Sequence, residues 1–208
     1  MTRTLYYING CPGARAVRLY CRHVGISIDE VLVNLQKGEH MTEEFLRLNP
    51  MHTVPTIKLD NGDGIYESRL ILKYLSGQYD NNPSKDIYEI DKWLFWDLGF
   101  LNTNVGKVIY PRLFMNSEPT KKDVDRLVEK LEYLDKCLVN QQFLINNSFS
   151  IADISSSMLV FNSQVRKDLV DINNYENIAR WLKNVENKFK AKDWNTVMGE
   201  FFKWRDSN

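Results

Sequence analysis

The sequence predicts two domains of different class: an α/β domain over residues 1–77 and an all-α helical domain over residues 85–208, joined by a linker at 78–84. Three observations carry this reading. Up to residue 77, short runs of β-branched and aromatic residues alternate with stretches whose apolar residues recur every three or four positions. The segment Gly77–Ser84 (GQYDNNPS) is polar and rich in turn formers. Beyond it only helical spacing occurs. A chain of 208 residues, 43% of them hydrophobic, can bury a real core.

Residues 3–8 (RTLYYI) are strand formers, ended by the turn signal Asn9-Gly10. Pro12 suits a first helical turn, and Ala14, Val17, Leu19, Tyr20, Cys21 and Val24 carry a helix to Gly25. A half-buried strand is expected over Ile28–Leu35. A helix is expected over Thr42–Leu48, with Thr42 as its cap and Phe45, Leu46 and Leu48 as its apolar side. Next, Thr53, Val54, Thr56, Ile57 and Leu59 make a strand with Pro55 inside it, and an X-Pro bond there is a candidate for the cis form. A turn at Asp60–Gly64 and a short strand at Ile65-Tyr66 follow. Glu67-Ser68-Arg69 then opens a helix whose apolar run is Leu70, Ile71, Tyr74 and Leu75. A helix N-terminus beside a bent strand suits a carboxylate ligand. The order βαβα followed by ββα is the thioredoxin-like plan.

In the second part, Ile90, Leu94, Leu98, Leu101, Val105 and Val108 mark one face of a long helix stopped by Pro111. Val124, Leu127, Leu131, Leu134 and Leu138 mark the next. Ser150 and Asp153 have the spacing of a capping box before Ile154, Met158 and Phe161, which reads simply as a helix start. Ile178, Trp181, Leu182, Val185 and Phe189 give another helix, and Trp194–Trp204 a last short aromatic-rich segment.

The balance of 27 basic and 27 acidic residues gives no global field to draw in nucleic acid or anionic lipid, so neither nucleic acid nor membrane is expected as a partner. The start MTRTLYYING lacks the apolar region of a signal peptide, and no run of about 18 apolar residues occurs; a soluble, cytoplasmic protein is expected. Cys11, Cys21 and Cys137 are an odd count without paired spacing, so neither a disulfide framework nor a metal site is expected.

The segments His52-Thr53-Val54-Pro55-Thr56 and Glu67-Ser68-Arg69 resemble the glutathione-binding core of the cytosolic glutathione S-transferases, most of all the delta and epsilon classes described from insects. The likeness spans nearly the whole chain. It implies the glutathione transferase fold, a homodimer, and no cofactor beyond glutathione as co-substrate. By resemblance, Val54 beside Pro55 pairs its backbone with the cysteinyl part of glutathione. Glu67 and Ser68 hold the γ-glutamyl end, and Arg69 pairs with its carboxylate. His40 and His52 stand where these classes place side chains that meet the glycyl carboxylate. A lone histidine is more often structural; the double placement favours ligands, and His23, without a match, reads as structural. Asp97 matches a family acidic residue that supports this network, with a solvated helix carboxylate as the alternative.

A tripeptide thiol has a pKa near 8.5, and lowering it by about 2 takes roughly 2.7 kcal/mol of thiolate stabilisation. A hydroxyl donor and a helix N-terminus can supply that together. The delta and epsilon pattern is matched at Tyr6-Tyr7, Gly10 and Arg15, but Cys11 occupies the place of the catalytic serine. A thiol donates weakly, whereas a cysteine at a helix start is acidified and nucleophilic; omega-like transferases use one to reduce disulfides. Cys11 is therefore open to three readings: a tolerated replacement in a conjugating enzyme, a reactive thiol, or loss of ordinary activity. Other classes use a tyrosine at the end of the first strand, which makes Tyr7 a second catalytic candidate, with a core aromatic as its plainer reading.

The family's electrophile pocket is lined by aromatics of the long helix and the C-terminal segment. By position, Tyr110, Phe114, Phe201, Phe202 and Trp204 are its candidates, each also readable as core, while Asn102 replaces a usual tyrosine. The function expected is conjugation of the glutathione thiolate to hydrophobic electrophiles in detoxification. The alternatives are a glutathione-dependent thiol-disulfide reductase using Cys11 and a non-catalytic carrier of glutathione or hydrophobic ligands.

Overall fold

The computed structural model describes residues 3–79 and 87–207, and the chain divides into two compact units, Met1–Pro83 with Lys190–Ser207 and Ser84–Phe189. In the first unit, β1 (Thr4–Tyr7), α1 (Pro12–Val24) and β2 (Asp29–Leu32) form a parallel β-α-β unit, in register from Thr4 opposite Asp29 to Tyr7 opposite Leu32. After α2 (Glu43–Leu48), β3 (Thr56–Lys58) runs antiparallel to β1 and β4 (Gly64–Tyr66) antiparallel to β3. The sheet order is β2-β1-β3-β4, and α3 (Ser68–Tyr79) follows. This is the expected thioredoxin-like arrangement.

Alternation along β1 buries Leu5 and Tyr7 on one face. Tyr6 meets Phe45 of α2 edge-on, ring centroids 5.4 Å apart. Thr42 caps α2 by accepting the Phe45 N–H, as the sequence predicts. Two expectations change. β2 is shorter than Ile28–Leu35, and as an edge strand it leaves Val31 and Leu32 exposed. Leu70 is also exposed, because α3 buries Ile71, Leu72 and Leu75 instead.

The last helix, α9 (Ala191–Asp206), is longer than a short segment and groups with the first unit, packed on α1. That corrects the expected domain of residues 85–208. The physical reason lies in α1, where Arg15 and Arg18 are fully buried and need partners; α9 supplies Phe201 to one and Glu200 to the other. Of the expected linker, residues 78–79 belong to α3 and 80–84 lie outside the described residues.

In the second unit, α4 (Ile87–Trp96) passes through a wider π-helical stretch, Asp97–Asn102, into α5 (Thr103–Met115), with αR backbone on both sides of the stretch. Pro111 lies inside α5 and does not stop it. The helix runs one turn past it and closes at Asn116 (φ 47°), where the N–H groups of Asn116 and Ser117 both donate to the Pro111 carbonyl. α6 (Lys121–Cys137) buries Leu127, Leu131 and Leu134, and α8 (Glu176–Glu186) buries Ile178, Trp181, Leu182 and Val185. Between them α7 (Ile151–Ser163) is buried along almost its whole length.

The α7 capping box does more than start a helix. The Ser150 hydroxyl accepts the Ala152 N–H, while the Asp153 carboxylate accepts from the Ser150 N–H and hydroxyl, each at 3.0 Å. The other Asp153 oxygen accepts from the Leu144 N–H at 2.9 Å and from Trp181 Nε1 at 2.8 Å. One buried carboxylate thereby ties the loop before α7, the α7 start and α8 together. Among the described residues no helix is long and apolar enough to cross a membrane.

Candidate functional site

Three segments of the first unit converge at the start of α1. Gly13 faces the α3 start and the bend before β3: a Cβ there would lie 2.5 Å from Ser68 Oγ, 2.7 Å from Ser68 Cβ and 3.5 Å from Pro55 Cδ. A larger residue would push these segments apart. The Val54-Pro55 bond is cis, as expected from the sequence. Asn49, fully buried, holds the preceding loop: its Nδ2 donates to the Thr53 carbonyl at 3.0 Å and to Thr56 Oγ1 at 2.9 Å, and its Oδ1 accepts the Met51 N–H.

Cys11 is the N-cap of α1, with extended backbone (φ −78°, ψ 115°) and no side-chain capping bond. Its half-buried thiol donates to the Val54 carbonyl oxygen at 3.4 Å. Burial pushes the thiol pKa up, against the opposing pull of the Ala14 and Gly13 N–H groups and the charges of Arg15 and Arg69. Of the three readings of Cys11, this direction favours the reactive thiol least, because desolvation outweighs the helix start.

Tyr7 is buried, with the Arg18 guanidinium 4.1 Å from its ring centroid. Burial, its largest influence, raises the hydroxyl pKa and Arg18 opposes it; this is the setting of a core aromatic. Arg15 donates to the Asn9 carbonyl at 2.9 Å and lies 3.8 Å from the Phe201 ring centroid. Burial lowers the Arg15 pKa to about 9, which leaves it cationic at neutral pH. Phe201 is wholly buried beneath it, so its assignment to a pocket wall is corrected: it is core. Phe202 is exposed, with Arg205 over its ring, and the Trp204 indole lies against Gly10, where an added Cβ would be 2.4 Å from indole Cζ2.

At the α3 start, Glu67 has φ 68° and its carbonyl accepts the Ile71 N–H. A left-handed backbone at a residue other than glycine costs of order 1–3 kcal/mol and is characteristic of ligand sites. Ser68 is buried, and its hydroxyl accepts from Arg69 at 3.1 Å. His40 and His52 come together, ring centroids 6.1 Å apart; His40 Nδ1 is buried with no hydrogen-bond partner among the described residues. His23 lies exposed in the last turn of α1, away from this pair in sequence and element.

In the second unit, Asp97 opens the π-helical stretch fully buried, accepting from the Ser156 hydroxyl at 3.3 Å. The solvated reading of Asp97 is thus overturned. Asn102, half-buried, ends the same stretch. Tyr110 and Phe114 meet edge-on at 5.5 Å and are both exposed, so they are not core.

A family model described as "Glutathione S-transferase, N-terminal domain" matches residues 5–83, and one described as "Glutathione S-transferase, C-terminal domain" matches residues 106–196. The chain belongs to the glutathione S-transferase family. Among similar solved structures, a Bombyx mori glutathione transferase in complex with GTT is 29% identical, covering 100% of this chain and 97% of the other at a TM-score of 0.90. A delta-class glutathione transferase of Nilaparvata lugens is 27% identical, covering 96% and 98% at a TM-score of 0.85. An unclassified Bombyx mori glutathione S-transferase is 29% identical, covering 97% and 95% at 0.80.

Within this family member, sequence reasoning passed over Glu30, Asn49 and Glu200, and gave Arg18 no role of its own. Arg18 carries an ordinary basic letter at a helical position, and only its burial between Glu30 and Glu200 shows its weight. Asn49 precedes Pro50 and reads as a turn, which hid its place at the centre of the loop. Gly13 had a signal, since a glycine beside Pro12 in a first helical turn is unfavourable unless close packing needs it.

Proposed function

We propose that the protein binds glutathione at the convergence of α1, the cis-Pro55 bend and the α3 start, and transfers its thiolate to small hydrophobic electrophiles in a detoxifying conjugation. The observation that carries this is Gly13, whose packing on Ser68 and Pro55 brings two of the positions that match the family's glutathione contacts to the α1 N-terminus. The N–H groups of Gly13 and Ala14 and the cations Arg15 and Arg69 give the site donors and positive charge but no strong hydroxyl donor beside the sulfur. His40 and His52 would take the glycyl carboxylate, and Glu67, Ser68 and Arg69 the γ-glutamyl end, with Asp97 in support.

In the reaction, the thiol proton passes to water and the sulfur lone pair forms a C–S bond to the electrophile. The leaving group departs with its bonding pair. Tyr110, Phe114 and Asn102 of the second unit are the proposed electrophile contacts. Cys11 contributes at most a weak donor, so turnover is slower than a serine would support; its raised pKa also counts against the reductase reading. A homodimer is proposed as well, supported by exposed apolar Tyr88 and Phe95 on α4.

The test is calorimetric titration with glutathione plus conjugation of a chlorodinitrobenzene-type electrophile, for the parent and Cys11→Ser. Micromolar to millimolar binding with measurable turnover, equal or faster in the serine variant, supports conjugation. Binding without turnover in either protein supports a carrier, and disulfide reduction abolished by Cys11→Ser supports a reductase.

A further inference from the structure

We propose that the open edge of β2, with the cavity beside it, docks an extended segment of a partner protein and seats one arginine side chain of that segment. The residues involved are not those that would hold glutathione, so the site goes beyond the function proposed above. β2 is the outer strand of the sheet and is bonded to β1 on one side only. The Asp29 N–H donates to the Arg3 carbonyl and the Val33 N–H to the Tyr7 carbonyl, each at 2.9 Å. Successive residues of a strand turn their N–H groups to opposite sides, so those of Glu30 and Leu32 face away from β1 and stay open to a further strand. The edge ends at Asn34, whose N–H donates to Glu39 at 2.7 Å. It offers a short ladder, along which Val31 is 40% and Leu32 56% exposed.

Tyr6 stands opposite Val31 in the register, and Tyr6, Val31, Val33 and Phe45 wall a cavity of about 110 Å³. That is well below the roughly 300–1,000 Å³ of a small-molecule site, and it takes a single side chain. Two exposed carboxylates, Glu39 and Glu44, complete the lining. Glu39 spends one oxygen on Asn34. Among the described residues no ion pair holds Glu44, since Arg47 is bound to Glu43. The Glu44 charge acts on Tyr6, where it adds to burial, the larger influence, in raising the hydroxyl pKa. An arginine suits these walls: its stem packs on apolar surface, its planar head lies on aromatic rings, and its charge meets carboxylates. Main-chain pairing with the edge would give affinity, and the cavity would give selection. A second copy of the chain fits worse, because its β2, Asp29-Glu30-Val31-Leu32, brings carboxylates and no cation to the seam.

The probe is a dye-labelled peptide of alternating threonine and valine with one central arginine, titrated with the full chain at about 150 mM salt and read by fluorescence anisotropy. Saturable binding at roughly 10–100 μM is expected. Glu44→Lys should weaken it about ten-fold. A peptide with glutamate in place of the arginine should bind the parent poorly and recover on Glu44→Lys. N-methylation tests the backbone without touching the protein. Blocking alternate peptide N–H groups in one phase should abolish binding, and in the other phase should leave it unchanged, since only one set faces β2. Leu32→Pro is compatible with an edge strand because that N–H points outward; it should abolish binding while urea unfolding stays cooperative. If that variant does not unfold cooperatively, the N-methylated pair decides the point. No saturable binding, equal losses from the two N-methylated peptides, or unchanged binding in Glu44→Lys overturns the proposal. Self-association of the parent in sedimentation that Leu32→Pro abolishes gives the edge to a second copy and overturns it as well.

Discussion

The starts of α1 and α7 are the same structural element put to opposite uses. At α7 the free N–H groups are met at once: Ser150 takes one, Asp153 returns to Ser150, and the same carboxylate reaches Leu144 and Trp181. At α1 the cap is Cys11, which makes no capping bond and turns its thiol to the Val54 carbonyl instead. The closed end organises a core; the α1 end has no side-chain cap and suits the anion binding proposed above. Gly13, Ser68 and Pro55 packed around it fit that second use.

The largest effect that separates the two ends is expected from Asp153→Ala. Removing a buried carboxylate that four donors point at should cost about 3–5 kcal/mol of stability, measured by urea unfolding. The pH dependence has a definite sign. Burial, the dominant influence, raises the Asp153 pKa, so the folded state holds that proton more tightly than the unfolded chain. Its contribution to stability is present in acid and is lost as pH rises from the ordinary carboxylate value through the raised one, and Asp153→Asn should remove this slope.

At the other end, Gly13→Ala should weaken glutathione binding by about a hundred-fold while costing roughly 1–3 kcal/mol of stability, because the added methyl meets Ser68 at 2.5 Å. Calorimetry beside urea unfolding separates the two losses. Ser68→Ala removes a single polar contact and should weaken binding by about ten-fold, with stability changed by about 1 kcal/mol. The smallest effect is expected from Cys11→Ser, a rise of a few-fold in kcat for conjugation, since a hydroxyl donates better than a thiol. If Cys11→Ser instead lowers kcat, the thiol itself takes part and the comparison of the two ends needs revision.

Much of this was legible in the sequence because the signals are local. Pro12, Thr42, the Pro55 bend and the Ser150–Asp153 spacing each act through neighbours in the chain, and each element they mark is present. What was not legible depends on partners far away. Phe201 looks like any helical aromatic until Arg15, from α1, is found above it. Asp97 looks like a surface carboxylate until its full burial and the Ser156 hydroxyl, from α7, are seen. The membership of α9 in the first unit follows from the buried arginines of α1, whose burial no periodicity reveals. Pro111 misled for a different reason: a proline inside a helix carries a penalty but does not by itself fix where the helix ends, and α5 runs on to Met115.

The most direct test of the uncapped α1 end is the ultraviolet thiolate absorbance of glutathione bound to the parent protein, followed against pH. The account predicts that bound glutathione ionises below the ordinary thiol value of about 8.5, and that Gly13→Ala moves it back toward that value. Bound glutathione that titrates like free thiol, or a chain that binds no glutathione, would contradict it.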